Sequence, residues 1–500
     1  MEITRSRILR DYNKIKKLVS NEIKTGNWDK ACCYMRKAAI FMYNCNVIYS
    51  DTQLEEAISA IVSSCISNIN SIPSQTSKPS RIDNQHRIVF YDYFALDNRG
   101  LTEQYFEAFK NLGYDVLFVM RKQESEKSRI IYQKIKSNKH FSTYVTKEHQ
   151  GEKLINEIFD TFKNYKPTDI IAHTSPWDVE GICACRAMEG RCTRFLSNIT
   201  DHAFWLGSTA FDYFLEFRDY GCNISQTFRG ISPKQDIKMP YFPIINKEIP
   251  FEGFFFNIDN KKLIVSGGSI YKIKGSPKYL DLVKYILDNH PDTLFLFLGN
   301  GDHQYLQNFS DLNGYEDRFF HVSERKDIFQ VIRQSTFYLN TYPMLGGLMT
   351  QIASMAGKLP LTLNDTNDPF MSISEFLITN DFDTQLEFND LEGLKQTIDR
   401  YLNNPKILHL AEENIQHCVP TPEMFSKMMY DVLNKHSTGL NPNVYNIDDK
   451  RFAKNYIIRL NENPIKYRYF FYSHDLKLAL AFFPYYLRIF WGKIGTILNK

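Results

Sequence analysis

The stretch 262–363 constrains this chain more than any other. Short apolar runs recur along it: Leu263-Ile264-Val265, Thr293–Leu298, Phe319–Val322, residues 337–340 and residues 359–363. Helical patterns, the first over residues 277–289, fill the gaps. Apolar runs this short, alternating with helices, predict parallel strands joined by crossover helices and covered on both faces. The ends of the runs are polar and glycine-rich. Ser266-Gly267-Gly268-Ser269 follows the first, with Lys272, Lys274 and Gly275 just beyond. The second stops at Gly299-Asn300-Gly301-Asp302, the third carries His321 and Val322, and the fourth leads through Thr341-Tyr342-Pro343 into Gly346-Gly347. In an open α/β sheet the ligand lies outside the carboxyl ends of the strands, where these residues fall.

Five hundred residues exceed one ordinary domain. Five segments are expected: a helical cap over 1–70, a linker over 71–86, a Rossmann-like acceptor domain over 87–250, a second Rossmann-like donor domain over 251–440, and a basic aromatic tail over 441–500. Asp51 is placed to N-cap the third helix of the cap. The linker is polar and proline-bearing. From Arg87 the α/β rhythm begins, with strands expected over 87–94, 115–120, 169–173 and 194–199 and a charged surface region over 121–153. The first βα turn holds Asn98, Arg99 and Gly100, a place where backbone amides meet an anion. The strand over 194–199 delivers Asp201-His202-Ala203-Phe204-Trp205. An Asp-His pair at a strand end suits a general base or a phosphate contact; the plainer alternative is a histidine tied to its own loop.

Charge is nearly balanced at +3, which argues against a nucleic-acid partner. It is unevenly placed: residues 451–500 carry nine Lys/Arg against two Asp/Glu, a net of +7, and the other 450 residues sum to −4. Basic residues interleave there with Tyr467, Phe470, Phe471, Phe482, Phe483, Tyr485, Tyr486 and Phe490. That pattern fits a segment lying on an anionic membrane surface, the alternative being a helix packed across the domains. No run of about 18 apolar residues occurs, so no spanning helix is expected. The nine cysteines show no metal-ligand spacing and read as reduced thiols of a cytoplasmic protein, peripheral at the inner face of the plasma membrane.

Two tandem Rossmann-like domains with glycine-rich loops at their strand ends resemble the GT-B glycosyltransferases. Ser266-Gly267-Gly268 with Lys274-Gly275 resembles the first strand and phosphate-contacting lysine of the GT-B donor domain. Gly299-Asn300-Gly301-Asp302 resembles its second glycine loop. His321-Val322 falls where the nucleotide base meets backbone, and Asn340-Thr341 with Gly346, Gly347, Thr350 and Gln351 resembles the diphosphate cradle, with Lys272 beside it. Arg229-Gly230-Ile231-Ser232-Pro233 and the Pro240–Pro243 run resemble the interdomain segment. The likeness covers roughly residues 87–440.

One departure stands out. Retaining members place a pair of glutamates in the diphosphate segment, but no glutamate lies between Glu324 and Glu375. The loop and the Asp201–Trp205 stretch are more similar to inverting protein O- and N-glycosyltransferases, so inversion and retention both stay open. The resemblance implies a metal-independent hexosyltransferase with no cofactor. It would take a nucleotide-sugar donor, UDP-sugar favoured, and a lipid-linked or protein acceptor in surface polysaccharide or glycoconjugate synthesis. His202 and Asp201 are its candidate catalytic pair. The only Asp-x-Asp triplet, Asp381-Phe382-Asp383, reads as a solvated loop rather than a metal site. A protein glycosyltransferase, a sugar-nucleotide epimerase of the same fold and a non-catalytic nucleotide-sugar-binding protein are the alternatives.

Overall fold

The computed structural model describes residues 2–66, 86–94, 101–121, 126–378 and 382–462, with 467, 470–471, 475–483, 485 and 487 beyond them. The chain forms two compact units, Met1–Met239 together with Ser426–Lys500, and Pro240–Phe425. The divisions fall at 239/240 and 425/426, not at the 250/251 and 440/441 read from composition. Neither the cap nor the tail is a body of its own.

The first unit is built on a seven-stranded parallel sheet. Its strands are β1 (Arg87–Asp92), β2 (Asp115–Met120), β3 (Phe141–Val145), β4 (Asp169–His173), β5 (Thr193–Asn198), β6 (Tyr213–Glu216) and β7 (Asp236–Lys238), in the order β3-β2-β1-β4-β5-β6-β7. The region over 121–153 is not merely a charged surface: it holds helix Glu126–Lys136 and the edge strand β3. An edge strand with Ser142 and Thr143 at its centre lacks the continuous apolar run of a buried one. Strands β6 and β7 were also unannounced, being three or four residues long.

One sheet face packs aromatics: Phe90 lies 5.2 Å from Tyr105, 6.0 Å from Phe109 and 5.7 Å from Phe118, ring centre to ring centre. Helices Gly151–Tyr165 and Val179–Ala187 share a single core with three more: α1 (Arg5–Lys24), α2 (Trp28–Cys45) and α3 (Thr52–Cys65). Helix α1 starts at Thr4, whose hydroxyl accepts from the Arg7 amide, and α3 starts at Asp51, whose carboxylate accepts from the Leu54 amide. Ile8, Tyr12, Ile15 and Val19 of α1 recur at helical spacing and are buried with Tyr34 and Phe41 of α2.

The tail closes onto the same core. Tyr467, Phe471 and Phe482 are fully buried, and Phe41 lies 5.1 Å from Phe471. The expectation that these aromatics meet lipid is corrected for Tyr467, Phe471, Phe482 and Tyr485, which face inward. Tyr486 and Phe490 lie outside the described residues, as do Asn98, Arg99 and Gly100. No helix among the described residues is long and apolar enough to cross a membrane. All nine cysteines are free thiols, all but Cys33 buried.

The second unit holds β8 (Lys262–Gly267), β9 (Thr293–Leu298), β10 (Phe319–Val322), β11 (Phe337–Leu339), β12 (Pro360–Leu363) and β13 (Glu387–Phe388), all parallel, in the order β10-β9-β8-β11-β12-β13. Leu263, Val265, Leu294, Leu296 and Leu298 alternate onto one face with Val331, Ile332 and Ala353. Burial on both faces explains why β9 reads as six apolar or β-prone residues in a row.

Candidate functional site

In each sheet the chain order reverses beside the first strand, between β1 and β4 and between β8 and β11. A doubly wound sheet binds ligands at such a reversal, because the crossover connections part there and leave a crevice at the carboxyl ends.

At the β8/β11 reversal the backbone comes close together. A side chain at Gly299 would place its Cβ 1.9 Å from the Gly268 carbonyl, so only glycine lets the turn after β9 lie on the turn after β8. The 3₁₀ turn Ile270–Ile273 follows, and Lys272 reaches across to donate from Nζ to the Leu345 carbonyl at 2.9 Å. The loop after β11 is shaped by Asn340. Its Oδ1 accepts from the amides of Thr341 and Gly346 at 2.9 and 3.0 Å, and its Nδ2 donates to Thr350 Oγ1 at 2.6 Å. Gly346 then opens helix Gly347–Met355 with no side chain to cap it, so the first-turn amides point out of the helix without an internal partner. Lys272, half-buried, is pushed down to about 8 by desolvation. One ammonium, the edge of a glycine turn and uncapped amides are the groups that favour an anion.

Gly267, Gly268, Lys272, Gly299, Thr341 and Gly346 therefore converge. Asn340, Thr350 and Gln351 are buried and act on the scaffold: Gln351 Nε2 donates to the carbonyls of Tyr241 and Phe376 at 2.8 and 3.0 Å. Gly347 leaves room for the Phe376 ring, which a Cβ would meet at 2.3 Å. Lys274 is turned to Asp302, Nζ to Oδ2 at 2.6 Å, and Lys272 is the one that reaches the Leu345 carbonyl. Asn300 is exposed, and its carbonyl accepts from the Ile270 amide at 2.9 Å. His321 and Val322 end β10; His321 Nδ1 lies 3.0 Å from His303 Nδ1, and burial followed by that neighbour lowers His321. Asp381 lies outside the described residues.

In the first unit Asp201 is wholly buried and His202 half-buried. Asp201 Oδ1 lies 3.0 Å from His202 Nδ1, and Arg218 Nε donates to Asp201 Oδ2. Burial alone would raise Asp201, but Arg218 and His202 outweigh it and hold the carboxyl well below the usual range. A permanent carboxylate on Nδ1 fixes which imidazole nitrogen carries the proton.

The loop bearing this pair is clamped from two sides. Arg229 Nη2 donates to the carbonyls of Asp201 and Ala203 at 2.8 and 2.7 Å. Asn46, at the C-terminal end of α2, donates from Nδ2 to the His202 carbonyl at 2.6 Å and accepts the Phe204 amide at 3.1 Å. Glu55 of α3 accepts from the amides of Gly207 and Thr209 at 2.8 and 3.1 Å. None of Asn46, Glu55, Arg218 or Arg229 was singled out from sequence as part of this site. They lie between 16 and 156 residues from His202, and no local spacing links them. At the β1/β4 reversal stands a second pair, Asp92 Oδ1 at 3.2 Å from His173 Nδ1, with the Thr102 hydroxyl donating to Asp92 Oδ2 at 3.1 Å. His173 is buried, which sets it apart from the half-buried His202. Its signal was available, since Asp92 and His173 end two adjacent strands.

Two Rossmann-like parallel sheets, each with its ligand crevice at the reversal, define the GT-B fold of glycosyltransferases. A glycosyltransferase from Rickettsia africae has a TM-score of 0.55 and 11% identity, over 71% of this chain and 100% of its own. Anabaena HepE in complex with UDP and glucose gives a TM-score of 0.52 and 11% identity, over 70% of this chain and 100% of its own; in complex with UDP-glucose the values are 0.50, 12%, 76% and 100%. No family model matches the chain, and no curated protein matches it.

Proposed function

We propose that the chain is a glycosyltransferase that moves a sugar from a nucleotide-sugar, UDP-sugar favoured, to an acceptor in surface polysaccharide or glycoconjugate synthesis. The observation that carries this reading is the set of anion-favouring groups at the β8/β11 reversal. A leaving nucleoside diphosphate develops negative charge as the glycosidic bond to the donor breaks. In this reading Lys272 and the first-turn amides of helix Gly347–Met355 meet that charge and no metal ion is needed. His202, oriented by Asp201, takes the proton of the acceptor hydroxyl if the sugar is inverted. That UDP and UDP-glucose are found in complex with HepE supports the choice of base.

Calorimetric titration of the protein with UDP, GDP and CDP, with and without EDTA, tests the donor site. One nucleotide binds, EDTA leaves its affinity unchanged, and Lys272→Ala weakens it by about ten- to a hundredfold, the loss of one charge-assisted contact of ~1.5–3 kcal/mol. Lys274→Ala changes it little. Failure of every nucleotide to bind would sink the transferase reading.

A further inference from the structure

An apolar stripe on the first unit has no partner within the described fold. Helix Leu476–Ala481, and the helical residues Phe483, Tyr485 and Leu487 after it, are fixed by one face. Leu478, Phe482 and Tyr485 are buried, Phe482 stacks on Phe471 at 4.0 Å, and Tyr485 donates from Oη to Asp11 Oδ2 at 2.7 Å. That anchoring dictates what faces out: Leu476 is 72% exposed, Leu480 65%, Phe483 53% and Leu487 44%. Leu476 and Leu480, four apart, share one side of helix Leu476–Ala481, and Phe483 and Leu487, also four apart, follow beyond the Phe482 cap. Single exposed leucines are ordinary; four large apolar side chains exposed so close together are not.

The stripe is edged with positive charge. Helix α1 runs beside it, where Lys14 donates from Nζ to the Ala481 carbonyl at 3.4 Å and lies over the Phe482 ring. Helix α1 carries seven Lys/Arg and two acids. Both acids are turned inward: Asp11 is buried and accepts from Tyr467 and Tyr485, and Glu22 is buried and paired with Lys477. Arg10 and Lys17, one turn to either side of Lys14, are exposed.

We infer that α1 and the Leu476–Leu487 stripe form one docking surface for an anionic lipid bilayer. The stripe enters the headgroup boundary, and the flanking lysines and arginines meet lipid phosphates. A second copy of this chain would bring the same cations against each other, which disfavours it as the occupant. The inference rests on this surface and not on the transferase reading.

The test is flotation of the purified full chain with vesicles of phosphatidylcholine alone and vesicles that also contain phosphatidylglycerol. The chain floats with the anionic vesicles, stays behind with the neutral ones, and is released by salt. The double variant Leu480→Glu/Phe483→Glu, at side chains already in solvent, lowers partitioning at least about tenfold with circular dichroism and Tm unchanged. Arg10→Glu/Lys17→Glu does the same. No flotation with either vesicle, or equal flotation by the folded double variants, overturns the proposal. So does a dimer by light scattering that Leu480→Glu/Phe483→Glu turns into a monomer, since a second copy then covers the stripe. Nucleotide titration of the same samples reads the donor site separately, so either idea can fail alone.

Discussion

Lys272 is the residue at which this site is most sensitive to solution conditions. Burial lowers it to about 8, so in the folded chain it gives up its proton before an ordinary lysine does. Between that value and the ordinary lysine range, the unfolded chain holds more protons than the folded one. Its contribution to stability therefore rises as pH rises through this window. Nucleotide binding runs the other way. A diphosphate favours the ammonium, so binding takes up a proton above about pH 8, and affinity falls by up to about tenfold per pH unit beyond it. Calorimetry in buffers of different ionisation enthalpy, at about pH 7 and 9, measures both the proton uptake and the loss of affinity. A flat profile, or the same slope in Lys272→Met, would assign the effect to another group. The neighbouring Lys274 serves as the control, because its ammonium is already satisfied by Asp302 at 2.6 Å.

Among the elements, α2 and α3 do more than cover a sheet face. The amide of Asn46 holds the His202 loop by its carbonyl on one side and its Phe204 amide on the other, and Glu55 fastens the next turn. Both side chains are buried, so the loop's position depends on helices that follow one another far earlier in the chain. We expect Asn46→Ala to lower turnover by about ten- to a hundredfold, as small misplacements of a reacting group do, while nucleotide affinity in the other unit stays as it was. Asn46→Asp keeps the acceptor for the Phe204 amide but loses the donor to the His202 carbonyl, and falls between the two. Steady-state kinetics beside nucleotide titration reads the split. Equal loss of turnover and nucleotide affinity would mean that Asn46 supports the fold at large. In the second unit Asn340 plays the corresponding local part, tying Thr341, Gly346 and Thr350 so that the loop after β11 keeps its shape.

For the molecule as a whole, the main consequence is that the first unit is closed by both flanks of the chain. Helices α1 to α3 and, from the tail, Ala453, Leu460, Tyr467, Phe471, Leu478 and Phe482 share one hydrophobic core with the α/β sheet, and Phe41 sits where they meet, within 6 Å of Tyr467, Phe470 and Phe471. Phe41→Ala should cost about 3–5 kcal/mol, the usual loss for a buried phenylalanine. Chemical denaturation followed by an intrinsic probe of the first unit checks this. A change under about 1 kcal/mol would show that the flanks are dispensable to that core.

The pattern of apolar runs was enough to announce two parallel α/β units and the glycine loops at their strand ends. A parallel strand covered on both faces must be continuously apolar, and a tight turn against another backbone must be glycine; both demands are local. The same local logic found Asp201 beside His202 and placed Asp51 at the start of α3. It named Lys274 as the phosphate lysine, and it could not see that Lys272, two residues earlier on the same short turn, meets the Leu345 carbonyl while Lys274 meets Asp302. Nor could it see Asn46, Glu55 and Arg218 around His202, since hydrogen bonds between distant segments leave no periodicity. Composition likewise marked residues 451–500 as aromatic and basic. Only packing decided which side chains turn inward, Tyr467, Phe471, Phe482 and Tyr485, and that Leu476, Leu480, Phe483 and Leu487 are left in solvent. A helix shows its apolar positions in sequence, but the side it buries is set by what it packs against.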